Sequence, residues 1–199
     1  MSRARNVASL LTSADNINAS YIDNLSLNDV TALPFDAGKI LQIQYDQLTT
    51  NATFSTTART NQAVTSLPSV SITPSATNSI IRLDCHVFCE FSNTTSAQNN
   101  VWFFYRDSTK LGHTTSYTNR FTGISMSRIT NEAQDANSTP EIMYMTYFDT
   151  PNSTSAIDYK IGIYPDQSQT LYINQTVNQG DLVNYENGVC FISATEIAG

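Results

Sequence analysis

The chain has 199 residues, 40% hydrophobic and 14% charged, and its 10 basic against 17 acidic side chains leave a formal net charge of −7. That balance excludes a basic nucleic-acid surface, and a chain of this length buries a core without disulfide staples. Ser, Thr and Asn contribute 22, 26 and 19 residues; they are poor helix formers that favour sheet and turns, which excludes helical bundles and doubly wound nucleotide folds.

Residues 1–37 read as an extended, partly helical N-terminal arm for assembly or anchoring, ahead of a β domain over residues 38–199. The apolar residues of the arm are thinly spread: Val7, Leu10, Leu11, Ile17, Ile22, Leu25, Leu27, Val30 and Leu33. Val7, Leu10 and Leu11 stand at i, i+3 and i+4, which suits about two turns of amphipathic helix. Ser13 and Ser20 are placed to cap further short turns. A segment this short cannot bury such side chains by itself, so it needs something to dock on. Its first apolar run ends at Thr12-Ser13-Ala14-Asp15, short of a signal peptide's apolar region, and no secretion signal is read. Nothing in the chain approaches the roughly 18 apolar residues of a membrane helix.

From Lys39 onward the pattern switches to period two, with Leu41, Ile43 and Tyr45 alternating with Gln42 and Gln44. Residues 80–91 alternate most cleanly: Ile81, Leu83, Cys85, Val87, Cys89 and Phe91 on one face, Arg82, Asp84, His86 and Glu90 on the other. This predicts a strand with one face in a core, and Leu83, Val87 and Phe91 are expected there. Further strands are expected at Val70–Ile72, Val101–Arg106, Gly123–Ile129, Ile142–Phe148, Tyr159–Tyr164, Thr170–Asn174 and Val189–Ile197. Turn clusters such as Thr73-Pro74-Ser75, Asp107-Ser108-Thr109 and Thr150-Pro151-Asn152-Ser153 separate them. The fold class that follows is all-β, an antiparallel sandwich of jelly-roll type.

The chemistry-bearing residues are few. Cys85 and Cys89 share a strand face about 13 Å apart, too far for a disulfide, and His86 between them points the other way. Buried free thiols are therefore expected, with no metal site. Asp84 and Glu90 share the opposite face about 20 Å apart, too far to flank one glycosidic bond. His113 falls in a loop without metal-ligand spacing, and no nucleophile elbow or phosphate loop occurs. No catalytic, metal or cofactor-binding residue is assigned, and a non-enzymatic role is expected.

Aromatic and methionine side chains call for partners. Trp102-Phe103-Phe104-Tyr105 puts two aromatics on each strand face, and Met143, Met145 and Tyr147 form a row opposite Ile142, Tyr144 and Phe148. Both faces of such strands are usually covered. A subunit interface involving Trp102, Phe104, Met143, Met145 and Tyr147 is the expected cover. Tyr117, Tyr164, Tyr172 and Tyr185 fall near loops and suit stacking on sugars, so a host surface glycan is read as a partner.

The segment Ala32-Leu33-Pro34-Phe35-Asp36-Ala37-Gly38-Lys39-Ile40-Leu41-Gln42 resembles a linker common in small structural proteins of marine tailed bacteriophages. Arg5–Leu11 and Ile22–Val30 resemble the arm that precedes it. Val70–Ser75, Asp107-Ser108-Thr109, Phe148-Asp149-Thr150-Pro151 and the ending Ala194–Gly199 are similar to the β domain of that group. The resemblance covers nearly the whole chain and implies a virion structural protein, fibre-like at the surface, homotrimeric and in contact with capsid or tail proteins. It brings no catalytic residues. A capsid decoration (cement) protein is the alternative, and a polysaccharide depolymerase the third reading. No nucleic-acid or membrane partner is expected.

Overall fold

The alternating segment forms one twelve-residue strand, β5 (Ile80–Phe91), whose inward row Ile81, Leu83, Cys85, Val87, Cys89 and Phe91 is buried as its period requires. The computed structural model describes residues 37–92, 99–113, 120–127 and 138–199. The arm residues Val7, Leu10, Leu11, Ile17, Ile22, Leu25, Leu27, Val30 and Leu33 lie outside the described residues.

Before β5 come β1 (Ile40–Leu48), β2 (Ala52–Ser55), β3 (Gln62–Ala63) and β4 (Ser69–Ile72). After it follow β6 (Val101–Arg106), β7 (Thr109–Lys110), β8 (Ser125–Met126), β9 (Glu141–Asp149), β10 (Ile157–Tyr164), β11 (Thr170–Ile173) and β12 (Cys190–Ile197). They build two antiparallel sheets. In the first, β9 pairs along one edge of β5, while the other edge is shared by β12, opposite Ile80–His86, and β11, opposite Cys89–Phe91. Strand β1 flanks β12 and β2 flanks β11. In the second sheet β10 is central, with β6 on one edge and β4 and β3 on the other; β7 and β8 continue beyond β6. The chain passes repeatedly from one sheet to the other, so neighbouring strands are joined across the core.

The inward rows of both sheets meet in a single apolar cluster that includes Leu83, Val87, Phe91, Trp102, Phe104, Met143, Met145, Ile161, Ile163 and Ile192. Each such side chain contributes about 1.5–3 kcal/mol by leaving water. This placement corrects the interface expectation. Trp102, Phe104, Met143 and Met145 are buried within one chain, and Tyr147 is half-buried against the same core. Pairing decides it: Met143 and Met145 stand opposite Val87 and Cys85 of β5, so their row must face inward. The other face of β6 is also covered from within. Phe103 lies across the bare backbone of Gly162, where a Cβ would stand 2.5 Å from the ring, and the Lys110 ammonium caps it at 4.2 Å.

Two buried carboxylates hold strands and loops together. Asp149 of β9 accepts two hydrogen bonds from Arg106 Nη1, at 3.0 and 3.2 Å, and one from the Tyr159 hydroxyl at 2.7 Å, joining the two sheets. Burial first, then the Asp149 carboxylate, drives the Tyr159 phenol well above its usual range. Glu196 of β12 accepts from the Ser75 amide, the Ser75 and Ser79 hydroxyls and Gln42 Nε2. Burial alone would raise its carboxyl, but these donors outweigh it and bring the group down to about 2.

Candidate functional site

The outward row of β5 is divided into a covered half and an open half. Phe88 and Glu90 are covered by the segments before β9 and before β12. Glu90 Oε1 accepts from the Thr139 amide at 3.0 Å and hydroxyl at 3.2 Å, and its Oε2 accepts from the Val177 amide at 2.6 Å. Gly188 lies on Phe88 so closely that a Cβ there would stand 2.3 Å from the ring, which only glycine permits. Arg82, Asp84 and His86 lie on the open half.

Strand register assembles the rest of this face. Tyr144, Thr146 and Phe148 of β9 stand opposite His86, Asp84 and Arg82. On the other side Phe191, Ser193 and Thr195 of β12 stand opposite the same three residues, and Tyr45 and Ile43 of β1 stand opposite Ser193 and Thr195. The apolar members are exposed where the inward rows are not: Tyr45 by 75%, Tyr144 by 66%, Phe148 by 57% and Ile43 by 56%. Ile142 and Ile40 extend the surface at its two ends, and Leu182, Val183 and Val189 expose apolar surface on the covering segment. Among the described residues, Met126 on β8 is the one exposed large apolar side chain that belongs to the second sheet.

The centre of the face has a definite chemistry. The His86 ring is stacked on Tyr144 at 4.7 Å between centroids and 28° between planes, and Phe191 is tilted against it at 5.9 Å. Beside these rings Arg82 Nη2 donates to Asp84 Oδ1 at 3.1 Å, and its Nε lies 2.9 Å from Asp84 Oδ2. Thr146 Oγ1 donates to the same Asp84 Oδ1 at 2.7 Å. The exposed parts of the rings offer apolar contact and the fork offers directed hydrogen bonds, so the arrangement is equipped for recognition. Exposed contiguous apolar surface of this kind suits a contact site.

The residues singled out from sequence are distributed differently. Asp84 and Glu90 share the outward row as expected, but Glu90 is spent on holding loops. Cys85 and Cys89 face the core with His86 outward, and all three cysteines are free and buried. Desolvation raises the Cys85 thiol to about 12 and Cys190 to about 11. Tyr164 packs on Phe121 at 4.9 Å, the Tyr185 hydroxyl accepts from Asn178 Nδ2 at 2.6 Å, and Tyr172 is half-buried on β11; Tyr117 lies outside the described residues. The open row Ile142, Tyr144 and Phe148 was legible as a row, but which of the two rows of β9 faces outward depends on its partner strand.

Among the described residues no cluster of three or more His, Cys, Asp or Glu side chains is placed to hold a metal ion, and no helix is long and apolar enough to cross a membrane. No family model matches the chain, and no curated protein matches it. Among solved structures it is similar to the VP2 subviral particle of infectious bursal disease virus, with a TM-score of 0.35 and 14% identity over 78% of this chain and 41% of that one. The chain thus spans less than half the length of that protein.

Proposed function

We propose that this chain is a non-enzymatic structural protein of a tailed-phage virion, a short trimeric fibre-like appendage. In this reading residues 1–37 anchor and trimerise, and the β domain is turned outward to the host surface. The observation that carries the reading is the open face built on Tyr45, Asp84, His86, Tyr144, Phe148 and Phe191. An acidic domain that leaves rings and aliphatic side chains together at its surface presents them for a contact. The expectation drawn from Ala32–Gln42 and its flanking segments, that of a small phage structural protein, points the same way. The nine aliphatic residues from Val7 to Leu33 gain burial through symmetric contacts between copies, the usual route to a closed oligomer.

Copy number tests it. Quantitative mass spectrometry of purified particles is expected to find this chain in tens of copies or fewer. Hundreds of copies would identify a decoration protein that cements the shell, and complete absence from particles would remove the chain from the virion.

A further inference from the structure

We infer that the open face of the first sheet is a binding platform for a neutral saccharide chain, centred on Tyr144, His86 and Phe191 with Asp84 and Arg82 as its hydrogen-bonding fork. The inference rests on the outward-facing reading of the β domain and names the ligand class that face takes. Three arguments carry it.

The first is size. The open region spans four strands spaced about 4.8 Å apart and about 20 Å of strand length, which gives on the order of 400 Å². A stable protein complex buries about 800 Å² on each partner. A second copy of the chain seated here would reach only half of that, whereas a chain of a few sugar rings fits within it.

The second is the mixture of groups. A flat apolar partner would cover the Arg82–Asp84 pair and Thr146 without giving them new hydrogen bonds, which costs free energy. A saccharide presents both complements: its C–H groups pack against the ring surface that the Tyr144–His86–Phe191 stack leaves exposed, and its hydroxyls donate to Asp84 and accept from Arg82. Three rings from three adjacent strands, β9, β5 and β12, span about 10 Å, enough for two consecutive sugar rings. The strands fix these rings in advance, since His86 already lies on Tyr144 at 4.7 Å. Rings held this way lose little freedom when a ligand stacks on them.

The third is charge. Arg82 and Asp84 neutralise each other at 2.9 Å, and the chain as a whole has a formal net charge of −7. An acidic sugar finds no unpaired cation to draw it there, so the face suits an uncharged one.

The test uses the full chain in solution. Neutral hexasaccharides (glucans, galactans and mannans) and one sialylated hexasaccharide are titrated to about 10 mM while backbone amide resonances are followed. At least one neutral probe is expected to shift residues 82–86, 142–148 and 191–195 with saturation, and the acidic probe to leave them unmoved. Tyr144→Ala should weaken that binding by about tenfold. Asp84→Asn, which keeps the shape of the site, should weaken it as well, while Tyr172→Ala on β11 should not. Lack of binding by every neutral probe, equal binding by Tyr144→Ala, or shifts confined to other faces would each overturn the inference. So would self-association of the chain abolished by Tyr144→Ala, because the face would then belong to a second copy. These outcomes are independent of particle counting: a chain absent from virions would end the virion reading while leaving saccharide binding measurable.

Discussion

His86 and Tyr144 lie stacked across the β5–β9 pair, 4.7 Å between ring centroids, on the side of the sheet opposite the core. The same strand that buries Cys85 and Val87 inward thus sets His86 beside two other rings outward. Core and recognition face are two readings of one period-two pattern.

Acid stability should depend on Glu196. Its carboxyl is brought from 4.5 to about 2 in the folded protein, so its contribution is complete above about pH 4.5 and is lost as the pH falls towards 2. Glu196→Gln should lower stability at pH 7 by about 3 kcal/mol, since four donors lose a charged acceptor. The variant should also show a shallower loss between pH 4.5 and 2 than the parent. Urea midpoints across that range measure both; parallel curves would remove Glu196 as the cause.

The thiols should be inert in the native state. Burial raises Cys85 to about 12, Cys190 to about 11 and Cys89 well above its usual value, so the thiolate population at pH 8 is negligible. Thiol titration should find no fast-reacting group in the native chain and three after denaturation, with or without reductant. A single reactive thiol without reductant would show that two of them pair.

Gly162→Ala should destabilise the second sheet. The added Cβ would stand 2.5 Å from Phe103 and 2.9 Å from Tyr105, and displacing those rings costs about 2 kcal/mol. A thermal melt measures it, and an unchanged midpoint would mean that the rings move aside freely.

These predictions separate what the sequence made legible from what it did not. The long alternation of residues 80–91 was readable because a sheet with one buried face leaves an unambiguous period, and Leu83, Val87 and Phe91 are in the core as expected. Strands β4, β6, β9, β10, β11 and β12 fall where apolar runs meet turn clusters. β2, β3 and β7 escaped because four or two polar-rich residues carry no periodic signal. The interface expectation failed for a specific reason. Both rows of β9 are apolar, so only the register against β5 shows that Met143 and Met145 go inward and Tyr144 and Phe148 outward. Likewise nothing local to Phe103 announces that Gly162 and Lys110 will cover it.

Oligomeric state is open to a simple check. Light scattering at micromolar concentration should give a mass three times that of the 21.9 kDa chain. A monomer would remove the symmetric contacts assigned to the arm.

The most direct measurement of the central claim is incorporation of a truncated chain into phage particles. Removing residues 2–33 leaves the structural unit Ala37–Gly199 intact, and the product should be folded and soluble yet absent from purified virions. Incorporation at the copy number of the full chain would contradict the account, because anchoring would then reside in the β domain.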